Sequence, residues 1–484
     1  MKIKPIYVVF ILFLISFSFR IYYGLDNQYF FNGDSYFHLH TINNYIETNN
    51  LLLYDNLSFS GKDVNYPQLF HFIMSLLYFI PNYLVIFPAL LSSSLVVIIY
   101  FISKELSKNE IASVFSSFLF AFLPIELKLT LNQISPIQLI LPIIFIMFYC
   151  FTKINDNKYF NIFLFLSFLI PLIHPISLIF ILGLIFYMLL LSIDNLEVDR
   201  RKKELIVFTF FLVFFINILI YRKAFLFHGF NYVFSPFIQE TNNAFFADFN
   251  IFSSIISLGL VVFILGIIGL FFGYFREKND VVILLSGFIV AALFAGILRL
   301  INVEIVLLIL LVCLAAISSL AISRFFNYLK ITKISSFKNY LFLLFFILIV
   351  IFSVYPSFAV AKSFNVNNNN LDDLNWLRDN SDKNSVVLSS IEDGDYVIGL
   401  ADRKSVLGSD IMFVAGLEQR VKDVSVIYTT FSSAIAIDLI KKYNVNYIYF
   451  SEQAKNKYKI TEIFYIKDEK CFEKQRESIY KVKC

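Results

Sequence analysis

Long apolar runs alternate with short polar connections along most of the chain. A helix needs about 20 apolar residues to cross roughly 30 Å of hydrocarbon, and most of these runs approach that length. The runs lie at 5–23, 67–102, 111–125, 136–152, 160–173, 175–193, 205–221, 251–274, 281–298, 303–323 and 340–358. Pro81 and Pro88 interrupt the second run, so we place its span in the later part. The pattern predicts about eleven transmembrane helices.

Composition agrees with this interpretation. Of the 484 residues 58% are hydrophobic and only 16% are charged, which is more apolar surface than soluble interiors of this size bury. The net charge of +4 is too small to indicate a nucleic-acid partner. Basic and acidic residues are equal in number after position 358. The sequence therefore predicts a polytopic α-helical membrane protein that does not bind nucleic acid.

Basic residues mark one side of the membrane, because Lys and Arg resist translocation. They occupy alternate connections: Lys2, Lys4, Lys104, Lys108, Lys153, Lys158, Arg200, Arg201, Lys202, Lys203, Arg276, Lys278, Arg324, Lys330, Lys333 and Lys338. This alternation predicts a multi-pass protein of the cell membrane with a cytoplasmic N-terminus and an extracytoplasmic C-terminal part. Arg222 and Lys223 are exceptions on the outer side, where they either meet an anionic partner or snorkel.

The sequence divides into a transmembrane domain, 1–358, with long outer loops at 24–66 and 222–250, and a small α/β domain, 359–484. In the second domain, LDDLNWLRDN (371–380) has leucines at helical spacing. Runs at 385–389, 424–428 and 445–450 predict strands, and 432–443 predicts a helix. Cys471 and Cys484 lie in this domain, where an oxidising environment would permit a disulfide, although two free thiols are the equal alternative.

The first outer loop carries the most informative stretch, FNGDSYFHLHTI (31–42). Asp34 follows the first span closely, so it could bind a divalent cation or act as a base. The alternative is that Asp34 caps the helix that follows it. His38 lies one turn beyond Asp34, so both side chains would share a helix face.

Other ionisable residues also collect at the predicted outer ends of spans. They are His71, Glu126, His174, Glu240, Arg299 and Glu304. His71 faces either a surface cavity or a partner within the bundle. Glu240 is a candidate acid, with a solvated loop side chain as the alternative. Arg299 could donate two hydrogen bonds to a phosphate or form an ion pair with Glu304.

The spans themselves are almost uncharged, which favours chemistry at the membrane surface over translocation. A transporter or flippase of lipid-linked glycans remains the main alternative function. A non-catalytic anchor for the C-terminal domain is a third.

Together, the acid after span one, the later loop acid, the outer-end arginine and the C-terminal domain resemble the GT-C class of membrane glycosyltransferases. Within that class, the sequence is most similar to the catalytic subunit of archaeal oligosaccharyltransferase. The resemblance implies a polyprenyl (dolichyl) phosphate or pyrophosphate sugar donor, membrane lipid around it, and a protein or glycan acceptor on the outer face.

The resemblance also assigns roles to individual residues. NGDSYFHL places Asp34 on the first-loop acid, a metal ligand or catalytic group, and SPFIQETNNAFF places Glu240 on the glutamate that bridges metal and acceptor. These two residues would hold Mg²⁺ or Mn²⁺. ALFAGILRLINVE places Arg299 on the group that binds the donor phosphate. SSIEDGDYVIGL places Asp393 on the aspartate of the acceptor motif WWDYG.

Two departures from the family pattern stand out. The second outer loop, TLNQISPIQ (130–138), lacks the acidic pair of the family, and Glu126 is the nearest substitute. Ile391 and Glu392 replace the tryptophans of WWDYG. The resemblance therefore leaves two possibilities: a divergent oligosaccharyltransferase, or a GT-C relative that transfers a single sugar to another acceptor.

Overall fold

The computed structural model describes residues 4–229, 259–332, 338–363, 368–411 and 413–484. Helices dominate its first part: α1 (Pro5–Asp26), α2 (Asp34–Thr48), α3 (Leu69–Leu76), α4 (Tyr83–Ser107), α5 (Glu110–Ala121), α6 (Pro124–Thr130), α7 (Ile137–Thr152), α8 (Asn157–Ile173), α9 (Ser177–Ile193) and α10 (Arg200–His228). Further helices span Leu260–Phe271, Asp280–Ile297, Val303–Ile331, Lys338–Ile349 and Tyr355–Ser363. Their boundaries follow the apolar runs of the sequence.

Helix ends form where the sequence supplies a cap or a break. The Asn109 side chain accepts hydrogen bonds from the Ile111 and Ala112 backbone N–H groups and so starts α5. Pro81 falls between α3 and α4, which divides the run 67–102 as predicted, whereas Pro88 is accommodated inside α4. The bundle encloses one large apolar core.

Among the described residues, five helices are long and apolar enough to cross a membrane, or six if the bent pair α5 and α6 counts as one span. Five more apolar helices are shorter, and each coincides with a predicted run. These helices are typical of a multi-pass membrane protein. The number of eleven spans and their orientation remain predictions.

The C-terminal part is a small α/β domain. Its strands are β3 (Val386–Leu388), β4 (Lys404–Ser405), β5 (Tyr447–Tyr449), β6 (Phe472–Lys474) and β7 (Ile479–Val482), in the order β4-β3-β5-β7-β6. β3 pairs in parallel with β4 and β5, and β7 pairs antiparallel with β5 and β6. Its helices include Asn368–Asn380, Gly394–Tyr396, Leu417–Thr429, Ser433–Lys442 and Glu452–Tyr458. Cys471 and Cys484 form a disulfide, which confirms that alternative.

One predicted strand is wrong. Residues 424–428 lie in the helix Leu417–Thr429, which buries Val421, Val424 and Tyr428 on one face. Their spacing of three and four residues is helical, and this burial outweighs the β propensity of the valines. The strands within 385–389 and 445–450 and the helix within 432–443 are confirmed.

The first long loop (24–66) is folded against the C-terminal domain. It contains α2 and a hairpin of β1 (Tyr54–Asp55) and β2 (Lys62–Asp63). In the connection between these two strands, the Phe59 N–H donates to the carbonyl of Ser405 in strand β4 at 2.9 Å. The buried Lys62 ammonium forms an ion pair with Asp410 at 3.1 Å. The two parts of the chain therefore meet along an extensive interface.

Candidate active site

Asp34 lies in the first turn of α2, and its carboxylate does not cap the helix. The preceding Asn32 supplies the cap instead, because its side-chain oxygen accepts the Ser35 N–H at 3.1 Å. Within the described part of the chain, Asp34 makes no hydrogen bond or ion pair, and its side chain is exposed. The structure thus argues against the capping role and leaves this acid available for chemistry.

Asp34 interacts electrostatically with two further carboxylates, those of Glu304 and Asp395. Burial by surrounding atoms raises the pKa of Asp34, and the negative charge of Glu304 raises it further. Burial raises the pKa of Asp395 to about 7, and the charge of Asp34 contributes in the same direction. Asp34 is thus exposed to solvent, yet other parts of the chain pack closely around it. Carboxylates from α2, from the helix Val303–Ile331 and from the C-terminal domain therefore lie near one another, and we call this region the cleft.

Tight backbone packing brings Asp395 to this position. Its short helix, Gly394–Tyr396, continues into a π-helical turn, Val397–Ala401, that packs on α2. The rings of Tyr36 and Tyr396 lie 4.9 Å apart between these elements. A Cβ atom on Gly399 would come within 2.7 Å of the Tyr36 backbone oxygen, so only glycine permits this approach.

Asp393 lies in a different environment from Asp395. It is buried inside the C-terminal domain, where the Ser390 and Ser451 hydroxyls donate to its carboxylate at 2.7 and 2.6 Å. Burial raises its pKa to about 6. These contacts give Asp393 a structural role. The sequence analysis missed Asp395 and Tyr396, although their Asp-Tyr order reproduces two letters of the acceptor motif.

The loop TLNQISPIQ approaches Asp34 without contributing a charge. The Asn32 side chain donates to the Gln133 side-chain oxygen at 3.0 Å, and the Ile134 N–H donates to the Ser35 hydroxyl at 3.0 Å. The amides of this loop therefore lie beside the first-loop acid, where the family pattern has carboxylates.

Glu126 does not substitute for those carboxylates. It is fully buried, forms an ion pair with Arg20 of α1 and accepts a hydrogen bond from the Thr130 hydroxyl. A buried pair of this kind joins α1 to α6 and is strongly destabilising to break. We assign Glu126 to the architecture of the bundle rather than to the site.

The histidines form a second group beside Asp34. Nδ1 of His38 lies 2.9 Å from Nε2 of His71, and the His71 ring is buried. Burial, together with a smaller contribution from the neighbouring His174, lowers the pKa of His38 to about 3. His40, on the same helix, instead contacts Asp55 at 3.3 Å. His38, His71 and His174 thus gather close to the site as neutral rings, while His40 belongs to the loop structure.

Arg299 lies at the end of the helix Asp280–Ile297 that leads towards Glu304. Its backbone is left-handed, with φ of 59°, and its side chain is exposed. Glu304 forms an ion pair with Lys128 at 2.6 Å. Glu304, five residues after Arg299, acts electrostatically on Asp34. Glu240 lies outside the described residues.

The described residues contain no group of three or more His, Cys, Asp or Glu side chains that could hold a metal ion. Asp34 and Glu240 as joint metal ligands therefore remain a prediction. The donors present are a free carboxylate on Asp34 and imidazole nitrogens on His38 and its neighbours, which are groups that divalent cations accept.

No protein-family model matches the sequence, and no curated protein matches it significantly. The fold, however, matches solved structures of the oligosaccharyltransferase of Archaeoglobus fulgidus. The complex with an inhibitory peptide and a dolichol-phosphate has a TM-score of 0.67 and 15% identity, covering 92% of this chain and 69% of the other. The form tethered to an acceptor peptide with an NVT sequon has a TM-score of 0.66 and 14% identity, covering 92% and 68%. The complex with zinc and sulfate has a TM-score of 0.64 and 15% identity, covering 91% and 67%.

The matched structures are of glycosyltransferases, and the match extends through both the helical bundle and the C-terminal domain. At this identity the comparison establishes the fold. The chain has the GT-C-like fold of the archaeal oligosaccharyltransferases.

Proposed function

We propose that this protein is a glycosyltransferase that moves a sugar or oligosaccharide from a polyprenyl-linked phosphate or pyrophosphate to a peptide on the outer face of the membrane. The observation that carries the proposal is the cleft in which Asp34, without a partner of its own, is approached by Asp395 and Glu304. Carboxylates placed together in a cleft, with perturbed pKa values, are characteristic of acid–base catalysis.

The donor would bind with its phosphate near Arg299. A guanidinium at a helix end can donate two parallel hydrogen bonds to phosphate, and Arg299 is an exposed residue just after the helix Asp280–Ile297. The binding of dolichol-phosphate by a protein of the same fold supports this class of donor. The apolar helices of the bundle would accommodate the polyprenyl chain.

The acceptor would enter between α2 and the C-terminal domain. Asp34 comes from one wall of this cleft, and Asp395 and Tyr396 come from the other. The binding of an acceptor peptide by the same fold supports a peptide as the substrate. The exposed Asp34 would orient the polar side chain of such a peptide, and the buried Asp395 lies behind it on the helix that packs on α2.

In the transfer step, the acceptor nucleophile attacks the anomeric carbon and forms a new bond to it. The bond from that carbon to the phosphate oxygen breaks, and the lipid phosphate leaves with the electron pair. The proton of the nucleophile passes to Asp34, whose raised pKa makes it a stronger base than a solvated aspartate. If Asp34 and Glu240 instead held a divalent cation, the cation would stabilise the charge that develops on the leaving phosphate, and Asp34 would orient the acceptor rather than take its proton.

A transfer assay tests this proposal. The purified protein is incubated with a panel of polyprenyl-linked sugars and an Asn-Val-Thr peptide. We expect peptide-dependent consumption of one donor, and Asp34→Asn should lower the rate by at least about 100-fold because the base is lost. Asp63→Asn is the matched control, since Asp63 lies in the same loop but pairs with Lys223.

Equal rates in the two variants would refute the assignment of Asp34. Movement of the donor across vesicle membranes without any peptide product would favour the alternative function, a transporter or flippase of lipid-linked glycans.

A further inference from the structure

A groove lies between the helices Leu260–Phe271 and Val303–Ile331, at the end of the bundle that carries the basic connections. The two helices pack closely at Gly269, where a Cβ atom would lie 2.4 Å from the Ile317 carbonyl oxygen. Beyond this contact they leave a volume of about 610 Å³ between them. That volume is within the range of pockets that hold small ligands.

Hydrocarbon side chains line most of the groove. One helix and the turn after it contribute Leu265, Ile268 and Phe272, whose spacing of three and four residues places them on one face. The facing helix contributes Ile322 and Phe325, which are also three residues apart. A polar solute would lose hydrogen bonds to water on this surface without gaining replacements. The lining therefore suits a hydrocarbon chain.

One end of the groove is polar. Arg324, Asn327 and Tyr328 lie there, in the last turns of their helix. The π-helical turn Phe272–Arg276 leads to the same end, because the Arg324 Nε atom donates to the carboxylate of Glu277 at 3.0 Å. The groove thus joins an apolar floor to a polar mouth, which is the shape of an amphiphile.

The mouth carries net positive charge. Glu277 is paired with Arg324, and Asp280 forms an ion pair with a lysine of α10. Arg276 and Lys278 flank Glu277 and are exposed, and among the residues that the structure describes no carboxylate pairs with either of them. Two cations therefore remain at the mouth after the nearby acids are neutralised, and they complement an anionic headgroup.

Backbone hydrogen bonds hold these two cations in place. The Glu277 N–H donates to the Phe272 carbonyl at 3.1 Å, and the Asn279 N–H donates to the Gly273 carbonyl at 2.9 Å. The Arg324 side chain ties the same connection to the facing helix. Little ordering of the backbone is left for a ligand to impose, which favours binding.

We propose that this groove binds an anionic phospholipid, with an acyl chain between the two helices and the phosphate at Arg276 and Lys278. Basic pockets between transmembrane helices bind such headgroups. A zwitterionic lipid gains less from the same cations, because its own ammonium group opposes them. The proposal is independent of sugar transfer, since the groove and Glu304 of the cleft lie at opposite ends of the helix Val303–Ile331.

The test is native mass spectrometry of the full chain, released from micelles that contain equal amounts of phosphatidylglycerol and phosphatidylcholine with identical chains. The unmodified protein should retain phosphatidylglycerol at least about 5-fold more than phosphatidylcholine. Arg276→Gln combined with Lys278→Gln should lower that ratio to about 2-fold or less. Ile268→Trp should fill the groove and lower the retention of both lipids.

Lys158→Gln combined with Lys203→Gln is the matched control, because it removes the same charge from exposed lysines of other basic connections. It should keep the preference for phosphatidylglycerol. An equal loss of preference in the two double variants would indicate diffuse attraction to surface charge and overturn the site, as would equal retention of both lipids by the unmodified protein.

Two further outcomes concern the occupant. Unchanged lipid retention in Ile268→Trp would contradict the placement of the acyl chain in the groove. Displacement of phosphatidylglycerol by an equal amount of polyprenyl phosphate would overturn the choice of a phospholipid, whereas persistence of phosphatidylglycerol supports it.

Discussion

At the scale of single residues, Asp395 shows how the fold changes the chemistry of a carboxyl group. It is buried, and its oxygen accepts the Ser409 N–H at 3.1 Å. That bond offsets only part of the cost of removing the charge from water, and the charge of Asp34 adds to the cost. The pKa of Asp395 therefore lies close to neutral pH, where its carboxyl group can take up or release a proton.

Asp395 should make the protein less stable as pH rises. Its pKa in the folded state, about 7, lies above the unfolded value of 3.8, so its contribution is fully present below that value and is lost as pH rises through 7. The loss would be on the order of 4 kcal/mol. The Asp395→Asn side chain cannot ionise. The melting temperature of this variant should therefore change less with pH, between pH 4 and 8, than that of the unmodified protein.

Asp402→Asn provides the comparison, because Asp402 is exposed in the same segment. It should retain the pH dependence of the unmodified protein. If Asp395→Asn loses stability with pH as steeply as that control, another group is responsible, and Asp393, which also has a raised pKa, is the next to test.

At the scale of elements, the packing of α2 against the π-helical turn Val397–Ala401 holds Asp34 and Asp395 near each other. We call this contact the seam. Gly399→Ala would place a Cβ atom 2.6 Å from that of Tyr36, which the backbone can relieve only by moving apart. We expect a loss of about 1–3 kcal/mol in the free energy of unfolding, together with slower sugar transfer. Calorimetry and the transfer assay check both effects.

Gly33→Ala offers a graded comparison on the same seam. Its Cβ atom would meet the Tyr396 ring at 3.2 Å and the Glu392 carbonyl at 3.3 Å, so small shifts can relieve the contact. Its effect should be the smaller of the two. An equal or larger effect would mean that the seam is not the most constrained contact of α2.

At the scale of the whole molecule, the orientation in the membrane sets which compartment the cleft faces. The distribution of basic residues predicts that the C-terminal domain is extracytoplasmic and that the connection between α7 and α8 is cytoplasmic. Two cysteine variants test this at exposed positions, Thr461→Cys and Asn155→Cys.

A membrane-impermeant thiol reagent should label Thr461→Cys in intact cells and Asn155→Cys only after lysis. Background should be low, because Cys150 and Cys313 are buried and the other two cysteines form the disulfide. The reverse pattern of labelling would place the cleft in the cytoplasm and exclude an outer-face reaction.

The sequence by itself determined the elements and the class of the protein. Apolar runs specify membrane helices because most of them approach the length that a bilayer requires, and a helix satisfies its own backbone hydrogen bonds in lipid. Asp34 could be identified in the same way, since an acid soon after a span and one helical turn before a histidine is a local signal.

Only the tertiary structure decided which charges share a site. Asp34 and Asp395 are separated by most of the chain, and their approach depends on a glycine contact that no local pattern reveals. Glu126 looks in the sequence like a site carboxylate, yet packing pairs it with Arg20. Electrostatic interactions depend on distance through space and on burial, and for these residues the folded chain alone sets both.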